Sequence, residues 1–152
     1  MNSKKQVDKS HYDFDRYMSK QRWCSFWHQL DEIQNLKPSG VLEIGPGPGL
    51  FKIVAEKFGL KVDTMDLDPE LNPDHLGSVT SMPFGEATYD VVCAFQMLEH
   101  LPYDVSLQAL DEMLRVCRRY VVISLPDARP SGGTKYIYRS SGFTIFSCRA
   151  PN

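Results

Sequence analysis

Val41-Leu42-Glu43-Ile44-Gly45-Pro46-Gly47-Pro48-Gly49-Leu50 decides the fold of this chain. A short apolar run enters a turn that carries glycine at every second position. A helical pattern leaves it, with Ile53, Val54 and Phe58 recurring at helical offsets over Leu50 to Phe58. Gly59 is well placed as a C-cap. Glycines where a strand hands over to a helix permit positive φ and let a ligand approach the backbone closely.

Elements of the same alternating kind extend outward from that turn. Lys61 to Leu67 reads as a strand, with Val62 and Met65 taken to point one way. Leu71 to Leu76 is too short and proline-broken for a good helix, and Gly77 to Val79 is a minimal strand. Tyr89 to Phe95 is a near-continuous apolar run, the mark of a strand covered on both faces. Val105 to Val116 has helical period through Leu107, Leu110, Met113 and Leu114, and Tyr120 to Ser124 is a second buried strand. Strands and helices alternating in this way predict an α/β domain with a mostly parallel sheet. Upstream, aromatic and apolar residues recur at helical spacing from His11 to Leu36, ended by Lys37-Pro38-Ser39-Gly40. Residues 1–10 read as a flexible arm and 11–152 as one domain: a helical segment over 11–37, a core over 40–127 and an atypical tail over 128–152.

The bulk numbers narrow the function. The 152 residues fit one domain with a real core, and 42% hydrophobic against 24% charged residues argue against disorder. Seventeen basic against nineteen acidic side chains leave a formal charge of -2, without the electrostatic footprint of a nucleic-acid binder or an anionic-membrane binder. Cys24, Cys93, Cys117 and Cys148 lie far apart with no metal-ligand spacing; Cys93 and Cys117 read as small buried hydrophobes. No apolar stretch is long enough to cross a bilayer and no signal peptide is visible, so a reducing cytoplasm is the expected compartment.

The spacing of the glycines selects the ligand. A dinucleotide fingerprint places its third glycine at position 50, which holds Leu50. The glycines run G-x-G-x-G instead, with Glu43 two positions before the first. This resembles the first motif of the class I S-adenosylmethionine-dependent methyltransferases. A cationic donor has no phosphate to be cradled, so a nearby carboxylate suits it. In such folds the next strand ends in an acid that hydrogen-bonds the ribose, about twenty residues on. Lys61-Val62-Asp63-Thr64-Met65-Asp66 delivers Asp66 there, with Leu67 expected to pack on the adenine.

The resemblance continues through Gly77-Ser78-Val79-Thr80-Ser81-Met82-Pro83-Phe84, Tyr89-Asp90-Val91-Val92 and Phe95-Gln96-Met97-Leu98-Glu99-His100-Leu101. It covers roughly Val41 to Asp127 and is similar to the methyltransferase domain called type 11. It implies a Rossmann-like three-layer αβα sandwich that binds S-adenosylmethionine. The implied cofactor-binding residues are Glu43, Gly45, Pro46, Gly47, Gly49, Asp66, Leu67, Ser78, Val79, Phe95 and Gln96. Ser78 stands where the family has an aspartate for the adenine amino group, so that recognition falls to its hydroxyl or to the backbone.

Methyl transfer is a single in-line displacement from a donor already activated by positive sulfur. The protein mainly aligns the reactants and excludes water. A general base is needed only for a protonated acceptor, and His100 is the best-placed candidate. Related enzymes carry E-x-x-E-H and a divalent ion here; this chain has Gln96 for the first carboxylate, so no metal is expected. Trp23, Phe26 and Trp27 are read as core packing in preference to a lid. Arg115, Arg118 and Arg119 are read as a helix C-terminus facing its own dipole.

The implied family sheet has seven strands, and too few residues follow Pro126 for the last helix and two full strands. The chain therefore reads as truncated. Its last two family strands are missing or replaced by a short hairpin of Tyr136 to Tyr138 with Phe143 to Cys148, which either covers the edge left by Tyr120 to Ser124 or is poorly ordered. Left exposed, that edge offers a place for a homodimer. The function expected is methyl transfer to a small-molecule or lipid-like acceptor. The alternatives are a cofactor-binding module without turnover and, third, a nicotinamide dehydrogenase.

Overall fold

The computed structural model describes residues 12–126 and 143–149. A one-turn helix α1 (Phe14–Tyr17) precedes α2 (Lys20–Leu36), whose first turn is capped by the Ser19 hydroxyl accepting from the Arg22 amide at 3.1 Å. Lys37, left-handed at φ 48°, ends α2. Then follow β1 (Val41–Ile44), α3 (Leu50–Lys57), β2 (Val62–Asp66), β3 (His75–Leu76), β4 (Tyr89–Phe95), α4 (Tyr103–Val116), β5 (Cys117–Pro126) and β6 (Phe143–Arg149). Gly59, at φ 87°, takes the left-handed position just beyond α3.

The six strands form one sheet in the order β3-β2-β1-β4-β5-β6; the first five are parallel and β6 runs antiparallel to β5. This is the expected Rossmann-like α/β sandwich. Leu42, Ile44, Met65, Val92 and Val121 pack on one face against Ala109, Met113 and Val116 of α4. Val41, Val62, Val91, Cys93 and Val122 pack on the other against Phe26 and Ile33 of α2 and Phe51 and Ala55 of α3. Each fully buried valine contributes on the order of 1.5–3 kcal/mol, which accords with the apolar run from Val91 to Ala94 in the centre of the sheet.

Several expectations need correction. Val62 and Met65 sit in opposite core clusters, because residues three apart on a strand face opposite ways. The minimal strand is His75–Leu76 rather than Gly77 to Val79; Ser78 instead bridges Ser81 in a turn. β5 begins at Cys117, directly after α4, so Arg118 and Arg119 lie on the strand and not at a helix end. Phe26 is buried as expected, but Trp23 and Trp27 are 52% and 57% exposed and take no place in the core.

In the tail, Phe143–Arg149 pairs with β5 along its length, from Tyr120↔Arg149 to Pro126↔Phe143. One arm of the expected hairpin therefore covers the β5 edge; the other arm, Tyr136 to Tyr138, lies outside the described residues, as does the arm over residues 1–10. Cys93 and Cys117 are buried among apolar side chains, as expected. Among the described residues no helix is long and apolar enough to cross a membrane.

Candidate functional site

The strands of a parallel sheet all end at one rim, and the crevice there is where ligands bind. Here the rim carries the ends of β1, β2 and β4. Gly45 and Gly47 follow β1 at φ 69° and 55°, left-handed conformations that a side chain resists. A Cβ on Gly45 would stand 2.7 Å from Met97 Cγ, and one on Gly47 would stand 3.0 Å from Tyr12 Cε1. The turn is therefore pressed between the segment after β4 and the segment before α1.

A cavity of about 350 Å³ opens at this rim. That is the size range of small-molecule sites. Of the residues singled out from sequence, Gly45, Gly47, Asp66, Leu67, Val79, Phe95, Gln96 and His100 line it. The Asp66 Oδ1 accepts from the Asp68 amide at 2.9 Å, and burial pushes the Asp66 carboxyl above its ordinary value against the pull of the Asp68 and Leu67 amides. Gln96 holds φ 56° without being glycine, a conformation fixed by its amide donating to the Ser124 carbonyl at 3.0 Å.

Glu43 and Pro46 do not line this cavity. They border a second one, of about 50 Å³, on the α2 side of the same turn, and Gly45, Phe95 and Gln96 are common to both. Glu43 is 4% exposed and its Oε2 has no hydrogen-bond partner. Burial raises its carboxyl to about 8, only weakly opposed by Lys52.

Two of the residues singled out line neither cavity. Gly49 is the N-cap of α3 at φ 73°, so its role is to start the helix. The Ser78 hydroxyl lies 2.9 Å from the Thr80 hydroxyl and 3.3 Å from the Thr80 amide, engaged in its own turn.

Sequence reasoning missed the roof. Tyr12, Tyr17 and Arg22 line the large cavity from the N-terminal side, with the Arg22 guanidinium 4.2 Å from the Tyr17 ring centroid. Burial raises the Tyr17 hydroxyl, partly offset by Arg22. A polar aromatic just before a capped helix is the signal that would have flagged Tyr17. Glu99 and His100 also line the cavity and are exposed; partial burial pushes the Glu99 carboxyl up against the pull of its own backbone amide, His100 and Arg22. Trp23 and Trp27 reach neither cavity, so they form no lid over the site. Among the described residues no group of three or more metal-ligating side chains comes together.

A family model described as a methyltransferase domain matches residues 14–142. No curated protein matches. Among solved structures, the PH0226 protein from Pyrococcus horikoshii OT3 is 20% identical with a TM-score of 0.65, covering 80% of this chain and 63% of that one. A SAM-dependent methyltransferase from Methanosarcina mazei is 17% identical with a TM-score of 0.52, covering 56% and 51%. The cyclase SpnF shares the fold at 17% identity and a TM-score of 0.52, covering 62% of this chain and 42% of its own. At these identities the likeness is one of fold, and the chain spans 42–63% of the length of the three proteins.

Proposed function

The chain belongs to the methyltransferase domain family, and from that premise we propose that its rim cavity binds S-adenosylmethionine and transfers the methyl group to a small-molecule or lipid-like acceptor. The observation that carries this is the convergence of the glycine turn, Asp66 and the orphan carboxyl of Glu43 around one rim. The glycine turn lets a ligand approach the backbone closely, an acid at the end of β2 suits ribose hydroxyls, and a buried carboxyl without a partner suits an ammonium. The bound donor supplies a methyl group activated by positive sulfur.

The residues of the chain do the rest. Asp66 accepts from the ribose hydroxyls, and Leu67 and Val79 flank the adenine. Arg22 and the Tyr17 hydroxyl, held at the roof, face the methionyl carboxylate. Tyr12 lies over Gly47 and closes the turn against water. His100, exposed on the cavity lining, takes the proton from an acceptor hydroxyl; an acceptor without such a proton leaves it idle. Gln96 supplies an amide where a metal site would want an anionic oxygen, which supports metal-free transfer. The buried Cys93 thiol, outside any disulfide, supports a reducing, cytoplasmic setting.

Calorimetry tests the assignment. S-adenosylhomocysteine is expected to bind with micromolar affinity, and Asp66→Ala to weaken it by about 1–3 kcal/mol. Binding of NADH in its place overturns the assignment. Labelled-methyl transfer to a panel of small hydroxylated and amphiphilic acceptors then separates an enzyme from a binding module without turnover.

A further inference from the structure

Glu43 is the second residue from the end of β1 and faces the α2 and α3 side of the sheet. Around it stand Thr64 of β2 and Cys93 of β4 in register, and Ser25 and Gln29 of α2 border the same small cavity. Gln29 of α2 donates to the Ser124 hydroxyl at 3.0 Å and to the Ser25 hydroxyl at 3.3 Å, so those dipoles are already turned toward one another. The charged and titratable groups near Glu43 are Tyr17 from α1, Arg22 from α2, Lys52 from α3 and Cys93 from β4. Lys52 is held by Asp74 at 2.6 Å and lies 3.9 Å from Glu56. Arg22 is drawn to the Tyr17 ring. A bare carboxylate at this depth thus lacks both a counter-ion of its own and a donor on Oε2.

Resting on the assignment of the rim to S-adenosylmethionine, we propose that Glu43 waits in the ligand-free protein as a neutral carboxylic acid and gives up its proton as the methionyl ammonium arrives. The Glu43 O–H bond breaks, the proton passes to solvent, and the carboxylate that remains pairs with the ammonium. No other bond changes. One cation replaces another, so the buried pocket carries no unbalanced charge before or after binding. Burial that lifts the carboxyl to about 8 accords with this geometry. Donor binding and proton release become a single event, and the methionyl end of the ligand is what triggers it.

Calorimetry on the full chain at pH 7, with S-adenosylhomocysteine in phosphate and in Tris, reads the proton count directly. Close to one proton is expected to leave per site, and affinity is expected to rise about tenfold per pH unit from 6 toward 8 before levelling off. Glu43→Gln binds more weakly, releases none and loses the pH dependence. On the wild-type chain 5′-methylthioadenosine, which lacks the amino acid, binds without proton release. Binding of S-adenosylhomocysteine without release, release that persists in Glu43→Gln, or equal release with 5′-methylthioadenosine each overturns the proton exchange while leaving donor binding intact. Failure of S-adenosylhomocysteine to bind at all overturns both.

Discussion

Two carboxyls lie buried in the same sheet, and they have opposite fates. Glu43, near the end of β1, has an oxygen with no partner and is pushed up by burial. Asp90, near the start of β4, is 7% exposed, yet its Oδ2 accepts from the Ser39 hydroxyl at 2.6 Å and the Ser39 amide at 2.8 Å. Arg118 stands 3.2 Å from its Oδ1 and Arg119 3.9 Å from its Oδ2. The Ser39 hydroxyl above all, then its amide and the two guanidiniums, hold the Asp90 carboxyl below its ordinary value. Both side chains are covered from solvent, but Glu43 lies deep and Asp90 close to the surface, and Asp90 alone has a full set of partners; depth and partners together separate them. At the rim opposite the cavity the chain spends its donors on closing the sheet, while at the cavity rim it leaves one acceptor to be satisfied from outside. A completed network belongs to the scaffold and an incomplete one to the site.

The sharpest way to break that distinction is Asp90→Ala. It strands the Ser39 donors, and stability should fall by about 2–3 kcal/mol, below the full range for a buried pair because the arginines are about half exposed. Urea denaturation measures this, and the affinity of the folded fraction for S-adenosylhomocysteine should stay as it was. A parallel loss of affinity would show that the two rims are not separable.

Smaller, and opposite in sign for the two groups, is the response to pH. Glu43 has a folded value above its unfolded one, so the folded state binds the extra proton. Its contribution is present below about pH 4.5 and is lost as pH rises toward 8. Asp90 is depressed, so its contribution is present above the ordinary carboxylate range and is lost as pH falls below it. Thermal melts of the ligand-free chain from pH 4 to 9 should show a declining alkaline limb worth roughly 1–2 kcal/mol, scaled down for relaxation around a buried acid. Glu43→Gln should flatten that limb and leave the acid limb in place. A limb that survives in Glu43→Gln assigns it to another group.

The smallest effect is expected from Ser39→Ala. It removes one hydroxyl donor and leaves the amide, at about 1 kcal/mol by the same denaturation. No change would place the strength of the Asp90 network in the arginines instead.

Much of this was legible in the sequence because it rests on local pattern. The apolar run of β4 and the three-and-four spacing of α4 gave their elements nearly to the residue. The glycine turn and Asp66 could be assigned to one rim because parallel strands bring their ends together. What escaped depends on neighbours that are distant in sequence. Helical spacing shows that Trp23, Phe26 and Trp27 share an element, but not which of them meets Phe51; only Phe26 does, at 6.3 Å between ring centroids. Tyr17 of α1 and Arg22 of α2 join the site because their helices bring them over the rim, and beyond an aromatic before a capped helix the local pattern does not announce that. Arg118 and Arg119 looked like a helix terminus because α4 runs into β5 without a loop. Gly49 and Ser78 hold the positions of ligand contacts in the motif but are taken up by a helix cap and a turn.

The press of Met97 on Gly45 has a consequence for the genetics of the chain. A side chain at position 45 meets two separate obstacles: the strain of its left-handed backbone and the Met97 Cγ at 2.7 Å, which would have to shift. Trimming Met97 to alanine eases the second obstacle, although its Cβ still stands 3.2 Å away, and leaves the first. A change at Met97 therefore answers only part of a lesion at position 45, and selection for recovered function should favour reversion to glycine over substitution of Met97.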